Sequence, residues 1–298
     1  MPSLRDLRDR ISSVKSTKKI TSAMKMVAAS KLKKAQGQAE ASQPYAQAMS
    51  QMMARVAANI QINPNSSKLL TGTGSVQTHL IIAVSADRGL CGGFNAYVLR
   101  KTRLLISQLE RDGKDVKIIC VGRKIRDALS RTHKANIIKG FTGIGGKTKI
   151  NFSEAHDIAE LVLDQFATGG FDVCTLVYNQ FVSVLTQTPQ AQQLIPFKLP
   201  EANQNEQDSE IGPKPLYSFE PSEEEILDDL LPRNLAIQIF RALLDSAAGE
   251  QAARMTAMDA ATRNAGDRIS DLTLQYNRAR QAYITKELIE IISGAEAV

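Results

Sequence analysis

The stretch RMTAMDAATRNAGDRISDLTLQYNRARQAYITKELIEIISGAEAV, residues 254–298, decides the architecture. It lacks proline, and its only glycines are Gly266 and the near-terminal Gly294. Strong helix formers dominate the rest. Met255, Met258, Thr262, Ala265, Ile269, Leu272, Tyr276, Ala279 and Tyr283 recur in steps of three and four, the seam of a coiled coil. One helix with a single narrow apolar stripe is unstable alone in water, so it requires a partner.

The other end of the chain supplies that partner. Leu4, Leu7, Ile11 and Val14 follow the same step, which resumes at Ala28, Leu32, Ala35 and Ala39, then at Ala46, Met49, Met53, Val56 and Ile60. Between the two runs the seam positions are Lys18, Thr21 and Lys25, while Ile20, Met24 and Val27 carry apolar side chains out of phase. There the stripe either rotates around the helix or meets a different partner. Small residues in both seams allow close backbone approach. Sixty or more helical residues span roughly 90 to 100 Å, longer than a compact domain is wide. The expectation is an antiparallel pair that protrudes as a rod, with a hairpin folded back on its own domain as the alternative.

Between the helices the period changes from 3.6 to 2. Strands are expected at His79–Ser85, Val116–Val121, Ile137–Ile138, Asp172–Tyr178 and Phe181–Thr188. Helices are expected over Ala96–Arg111, Lys124–Arg131 and from a Ser153 cap to Phe166. Alternation of this kind gives a mostly parallel, Rossmann-like α/β sheet. Pro44 should kink the first helix or restart it behind a Ser42 cap, and residues 63–67 should end it. Leu69–Gln77 reads as loop, and the proline-rich stretch 191–221 as an irregular linker. A capping box at Ser222–Glu225 starts the last helix, with Pro232 as a kink. The expected division is a long helix over 1–62, an α/β domain over 78–190, the linker over 191–221 and a second long helix over 222–298.

Charge and composition narrow the function classes. The net charge of +6 is uneven: ten basic residues between Arg5 and Lys34 face Asp6 and Asp9, whereas 201–229 hold ten acids against Lys214. Without interleaved aromatics or a reader motif, the basic stretch does not point to nucleic acid; a solvated face or an acidic protein partner fits it. No apolar run reaches membrane-span length, and the charged start at Arg5 resembles neither a secretory signal nor an acid-free transit peptide, so a cytosolic chain is expected. Cys91, Cys120 and Cys174 have no zinc or disulfide spacing and should be reduced thiols.

Two motifs invite chemistry. GLCGG at 89–93, between a strand and a helix, matches a nucleophile elbow with cysteine for serine, but no late histidine follows, since only His133 and His156 lie beyond Cys91. Its glycines fit a tight turn. GFTGIGGKT at 140–148 resembles a phosphate loop, yet Phe141 stands where that loop needs its first glycine. No catalytic residue, metal site or cofactor is therefore expected. On residues alone, a nucleotide-binding α/β enzyme with helical arms and a coiled-coil scaffold or nucleic-acid clamp both stay open.

Three segments carry a family resemblance: LRDLRDRISSVKSTKKITSAMKMVAASKLKKAQ at 4–36, SADRGLCGGFN at 85–95, and EQAARMTAMDAATRN followed by YNRARQAYITKELIEIISGAEA between 250 and 297. Together they resemble the gamma subunit of F-type ATP synthase over the whole chain, ITKELIEIISGA being the most specific part. The cysteine-pair insertion of chloroplast relatives is missing, so thiol regulation is not expected. The resemblance implies a rotor whose paired helices turn inside a ring of alpha and beta subunits. The α/β domain would lie beneath, near epsilon and the c-ring, peripheral to the cytoplasmic face of a bacterial inner membrane, with the matrix face of a mitochondrial one as the lesser alternative. It further implies that Met24 approaches an acidic loop of beta. Arg254 and Gln281 would bond a beta catch loop, with Thr285 and Glu287 nearby. Lys25 receives no role. The apolar end, Leu288, Ile289, Ile291, Ile292, Ala295, Ala297 and Val298, would overhang the first helix and turn in an apolar sleeve.

Overall fold

Runs such as THLIIAV and DVKIICV are apolar at nearly every position, so as strands they must bury both faces. The computed structural model describes residues 3–59, 67–145, 149–197 and 223–296, and it meets that demand with a three-layer arrangement. In chain order the elements are α1 (Leu4–Asn59), α2 (Lys68–Thr71), β1 (Thr78–Val84), α3 (Phe94–Arg111), β2 (Asp115–Val121), α4 (Arg123–Leu129), β3 (Ile137–Phe141), α5 (Phe152–Ala167), β4 (Val173–Phe181), β5 (Gln187–Ile195) and α6 (Glu223–Glu296). The sheet order is β3-β2-β1-β4-β5. The first four strands are parallel, and β5 pairs antiparallel with β4 at the edge.

Alternation assigns the side chains to layers. Leu80, Ile82 and Val84 of β1, with Ile119, Val121 and Leu176, pack against α5 and the Leu227–Leu244 part of α6. Ile81, Ala83, Ile118, Cys120 and Val177 face the other way, against Val98 and Ile106 of α3 and Ile125 and Leu129 of α4. The expected Rossmann-like sheet is present, doubly wound, with its switch point between β1 and β4.

The chain forms two compact units: residues 31–253, which contain the sheet, and residues 1–30 with 254–298. Within the larger unit Met49 and Met53 of α1 are buried in the sheet-side core, with Ala39 and Ala46 packed beside them. This part of the α1 stripe therefore serves the α/β core. The side chains of Val56 and Ile60 lie outside the described residues.

Several expected boundaries change. Pro44 does not restart the first helix: α1 is continuous through it, and the Ser42 hydroxyl donates to the Ala39 carbonyl instead of capping. The stretch expected as loop from Leu69 opens with the short α2, whose Leu69 and Leu70 pack on the core. Asn151, not Ser153, is the cap of α5, and the Glu154 carboxylate accepts the Asn151 N–H at 2.9 Å. The strand expected at Phe181–Thr188 straddles a hairpin turn, and β5 instead runs Gln187–Ile195, into the stretch expected as linker from 191. Its polar sequence and Pro189 hid it; both suit an edge strand, where one face is wet and one ladder side is unused. The Ser222 cap and the remainder of the linker, 198–221, lie outside the described residues. Pro232 lies inside α6.

Two local devices hold the sheet's ends. Gly122 has φ +101°, and a Cβ there would lie 2.2 Å from the Ser85 carbonyl oxygen, so the β2–α4 turn excludes any side chain. At the other end Asp172 accepts the Thr73 hydroxyl and the N–H groups of Gln77 and Thr78, each N–H at 2.9 Å. These bonds, the Thr73 hydroxyl foremost, hold its carboxyl below the usual 3.8. A depressed carboxylate contributes stability above its unfolded value and loses it as pH falls through the folded one. Asp172→Asn should thus lower unfolding stability by about 1 kcal/mol at neutral pH, the low end for bonds to a charged acceptor at an exposed site. The variant should also show a shallower decline than wild type as urea denaturation is repeated from pH 5 to pH 3.

Candidate functional site: the paired terminal helices

The smaller unit pairs the first turns of α1 with α6 from Arg254 onward. Its buried apolar side chains are Leu7 and Ala28 on α1 and Met258, Ala265 and Leu272 on α6. All lie on the seams read from the sequence. The cross-contacts run in opposite directions along the two helices. Arg8 donates to the Tyr276 hydroxyl at 3.0 Å, with its guanidinium 5.9 Å from the ring centroid. Lys18 lies over Gly266, where an added Cβ would be 3.2 Å from the ammonium. The hydroxyl oxygens of Thr21 and Thr262 are 2.8 Å apart, and Lys25 donates to Asp259 at 2.5 Å. The pairing is antiparallel.

The same contacts settle the question of phase. Lys18, Thr21 and Lys25 stay on the paired face, so the stripe does not rotate. Ile20 and Val27 instead point outward, 60% and 57% exposed, and Met26 is 66% exposed. Met24 is half-buried. The apolar patch that the sequence placed out of phase is thus unsatisfied within this unit.

At the far end the seam stops earlier than expected. Ala279 is half-buried, but Tyr283 is 53% exposed: Leu4 begins α1, and no described residue of α1 lies opposite α6 beyond that point. Every residue from Arg280 to Ser293 is exposed. Gln281, Thr285, Glu287, Leu288, Ile289, Ile291 and Ile292 all belong to this overhang, whereas Arg254 is half-buried at the start of the unit. The structure therefore does not bring the named residues into one cluster: Arg254 and Gln281 are roughly 40 Å apart along the helix. A hydrogen bond to Glu287 holds the Tyr283 phenol above its usual range. The side chains of Ala295, Ala297 and Val298 lie outside the described residues.

Sequence reading missed the polar cross-contacts. Lys25 had no role, yet it ion-pairs with Asp259, which Arg263 also meets at 2.7 Å. The available signal was that Lys18, Thr21 and Lys25 continue the step of the flanking apolar runs.

The motifs that suggested chemistry have other employment. Cys91 is buried, 1% exposed, with the Asn95 amide donating to its sulfur at 3.2 Å. His133 is bonded to Thr132 and paired with Glu110, and His156 with Glu160 on its own helix. The crevice at the switch point, where doubly wound folds bind nucleotides, is filled by the chain itself. Ala253 of α6 packs with Ala86, Cys91 and Phe94, and a Cβ on Gly249 would lie 3.1 Å from Phe94. In the phosphate-loop look-alike the Glu154 carboxylate accepts the Gly145 N–H at 2.9 Å, presenting negative charge where a phosphate would need the helix N-terminus. Residues 146–148 of that loop lie outside the described residues. Among the described residues, no group of histidine, cysteine and acidic side chains could hold a metal, and no helix is long and apolar enough to cross a membrane.

Comparison with known proteins agrees with the paired helices and the sheet. The family model described as ATP synthase matches residues 3–298. An ATP synthase gamma chain from Rhodospirillum rubrum is 57% identical, with 100% of both chains covered. The chain belongs to the ATP synthase gamma-chain family. It is a central-stalk rotor subunit and not a catalytic one. A gamma chain from Rhizobium etli is 52% identical, again over 100% of both chains. Among solved structures, a chain of the Tetrahymena thermophila mitochondrial ATP synthase central stalk and c-ring matches with TM-score 0.59 and 28% identity, over 81% of this chain and 99% of that one. A chain of the Euglena gracilis mitochondrial enzyme matches in fold, with TM-score 0.64 and 20% identity over 99% and 94%.

Burial makes the cysteines inert, pushing the Cys120 thiol up to about 11 and the Cys174 thiol higher still. A chromogenic disulfide reagent at pH 8 should leave the folded chain unmodified and titrate three thiols in urea. Rapid labelling of Cys91 in the folded chain would reopen the nucleophile reading.

Proposed function

We propose that this chain is the shaft that couples proton flow to ATP synthesis, turning within a ring of alpha and beta subunits and bound below to epsilon and the c-ring. The observation that carries the proposal is the exposed end of α6, where Leu288, Ile289, Ile291 and Ile292 are each more than half exposed with no partner in the register. Such a stripe needs a covering surface. An apolar sleeve at the closed end of the ring fits it, because apolar contact is non-directional and lets a shaft turn without breaking specific bonds. The relatives more than half identical, from Rhodospirillum rubrum and Rhizobium etli, are bacterial, so the complex is assigned to the cytoplasmic face of the inner membrane, with this chain peripheral to it.

Residue roles are proposed on the family resemblance. Met24, beside the outward Ile20 and Val27, is assigned to an acidic loop of beta. Arg254 and Gln281 are assigned to beta catch-loop bonds at two different heights, with Thr285 and Glu287 beside Gln281. The shaft acts as a ligand that favours a different conformation in each beta subunit it faces, so rotation passes those conformations around the ring.

Two experiments on the whole complex test this. Ile291→Asp with Ile292→Asp should reduce assembly yield and ATP hydrolysis more than removal of the last four residues, since it buries charge without a partner. Wild-type assembly and turnover in the aspartate variant would mean that the stripe is solvent-exposed in the complex. Separately, Met24→Lys should lower the protons pumped per ATP hydrolysed by at least about twofold with assembly intact, through added attraction to the acidic loop. An unchanged ratio would remove Met24 from that contact.

A further inference from the structure

Among its described residues the paired unit buries five apolar side chains, and two of them, Ala28 and Ala265, are alanines. Small-residue seams attract without fixing height, because apolar contact has no preferred alignment. Between the Ala28 and Leu7 layers the seam turns polar. There Thr21 meets Thr262 at 2.8 Å and Lys25 meets Asp259 at 2.5 Å. Asp259 also holds Arg263, one turn further along α6, at 2.7 Å. A slip of one turn in one direction would set Lys25 against Arg263, like charge on like. The opposite slip would set it against Met255. Only the observed register gives Lys25 an acid among these three.

We propose that Lys25 and Asp259, with Thr21 and Thr262, are the register lock of the terminal helices: positioning residues that fix the height of Met24 on α1 against Arg254 and Gln281 on α6. A partly exposed ion pair of this kind adds little stability. Its effect lies in the penalty on alternatives, as polar seam residues set register in coiled coils. The consequence for coupling rests on the rotor reading; the register itself does not.

The test uses the full chain in its assembled complex. With Thr21→Cys and Thr262→Cys, oxidation should close an intrachain disulfide at least about tenfold faster than with Thr21→Cys and Gly266→Cys, since thiols one turn out of register are too far apart to bridge. Adding Lys25→Glu should erase most of that preference, and adding Asp259→Lys to it should restore the preference by exchanging the charges. Asp259→Asn, the milder change, should shift it in the same direction if Lys25→Glu blocks assembly. In vesicles, protons pumped per ATP should fall at least about twofold in Lys25→Glu and recover in the charge-exchanged variant. A cross-linking preference indifferent to Lys25→Glu, or no recovery on exchange, overturns the lock. A register shift with unchanged pumping upholds the lock and counts against the rotor reading.

Discussion

The constraint on which this chain depends is that a long helix with one narrow apolar stripe has no stable existence by itself. Leu7 and Ala28 on α1, with Met258, Ala265 and Leu272 on α6, are the buried apolar side chains of the terminal-helix pair among its described residues. The two segments lie at opposite ends of the sequence, so pairing them commits everything between to form a domain whose chain enters and leaves through these helices. That commitment shapes the domain. The same stripe on α1 that meets α6 in the smaller unit continues, through Met49 and Met53, into the core beneath the sheet. One periodic pattern thus serves two kinds of packing, which is possible because steps of three and four suit a helix against either a helix or a layered core.

The same commitment explains why a fold that elsewhere binds nucleotides performs no bond chemistry here. A doubly wound sheet offers its crevice at the strand order's reversal. In this chain Gly249 and Ala253 bring α6 against Phe94 and Ala86 at that point, and glycine is what permits the approach. Helix N-termini that could hold an anion are likewise used internally. Glu154 serves Asn151 and Gly145, and the Asn95 side chain serves Ala86 and Cys91. A site that is occupied by its own chain is a structural joint.

Legibility in the sequence followed the strength of periodicity. The coiled-coil seam was readable because small and apolar residues repeat over many turns, and the parallel strands because Ile, Val and Leu fill both faces. β5 was not, since QTPQAQQLI is half wet and edge pairing needs only backbone groups. Asn151 was missed as a cap because its serine neighbour Ser153 fits the same rule two residues later. The overhang of α6 was legible in outline, but its start was not: Tyr283 keeps the step, yet it is 53% exposed, past the described residues of α1 in the observed register. The ion pair at Lys25 was invisible for a different reason. Charges on a helix show their partner only once register is known, and register is what the alanine-rich seam leaves undetermined.

Two segments of α6, one around Asp259 and one from Leu288 to Ile292, have opposite physical characters. Near Asp259 the contacts are directional: a carboxylate shared by Lys25 and Arg263, and a threonine pair at hydrogen-bonding distance. Such contacts resist sliding because each requires a particular partner at a particular height. From Leu288 to Ile292 the side chains are branched aliphatics interrupted only by Glu290, which pairs with Lys286 on its own helix at 3.4 Å. Aliphatic surface binds by area and shape, with almost no preference for azimuth. On the proposed function α6 keeps its register with α1 while turning against a surrounding surface, and that calls for both characters in separate segments. The distribution of polar and aliphatic contacts along α6 meets that requirement, with directional bonds inside the pair and non-directional surface beyond it.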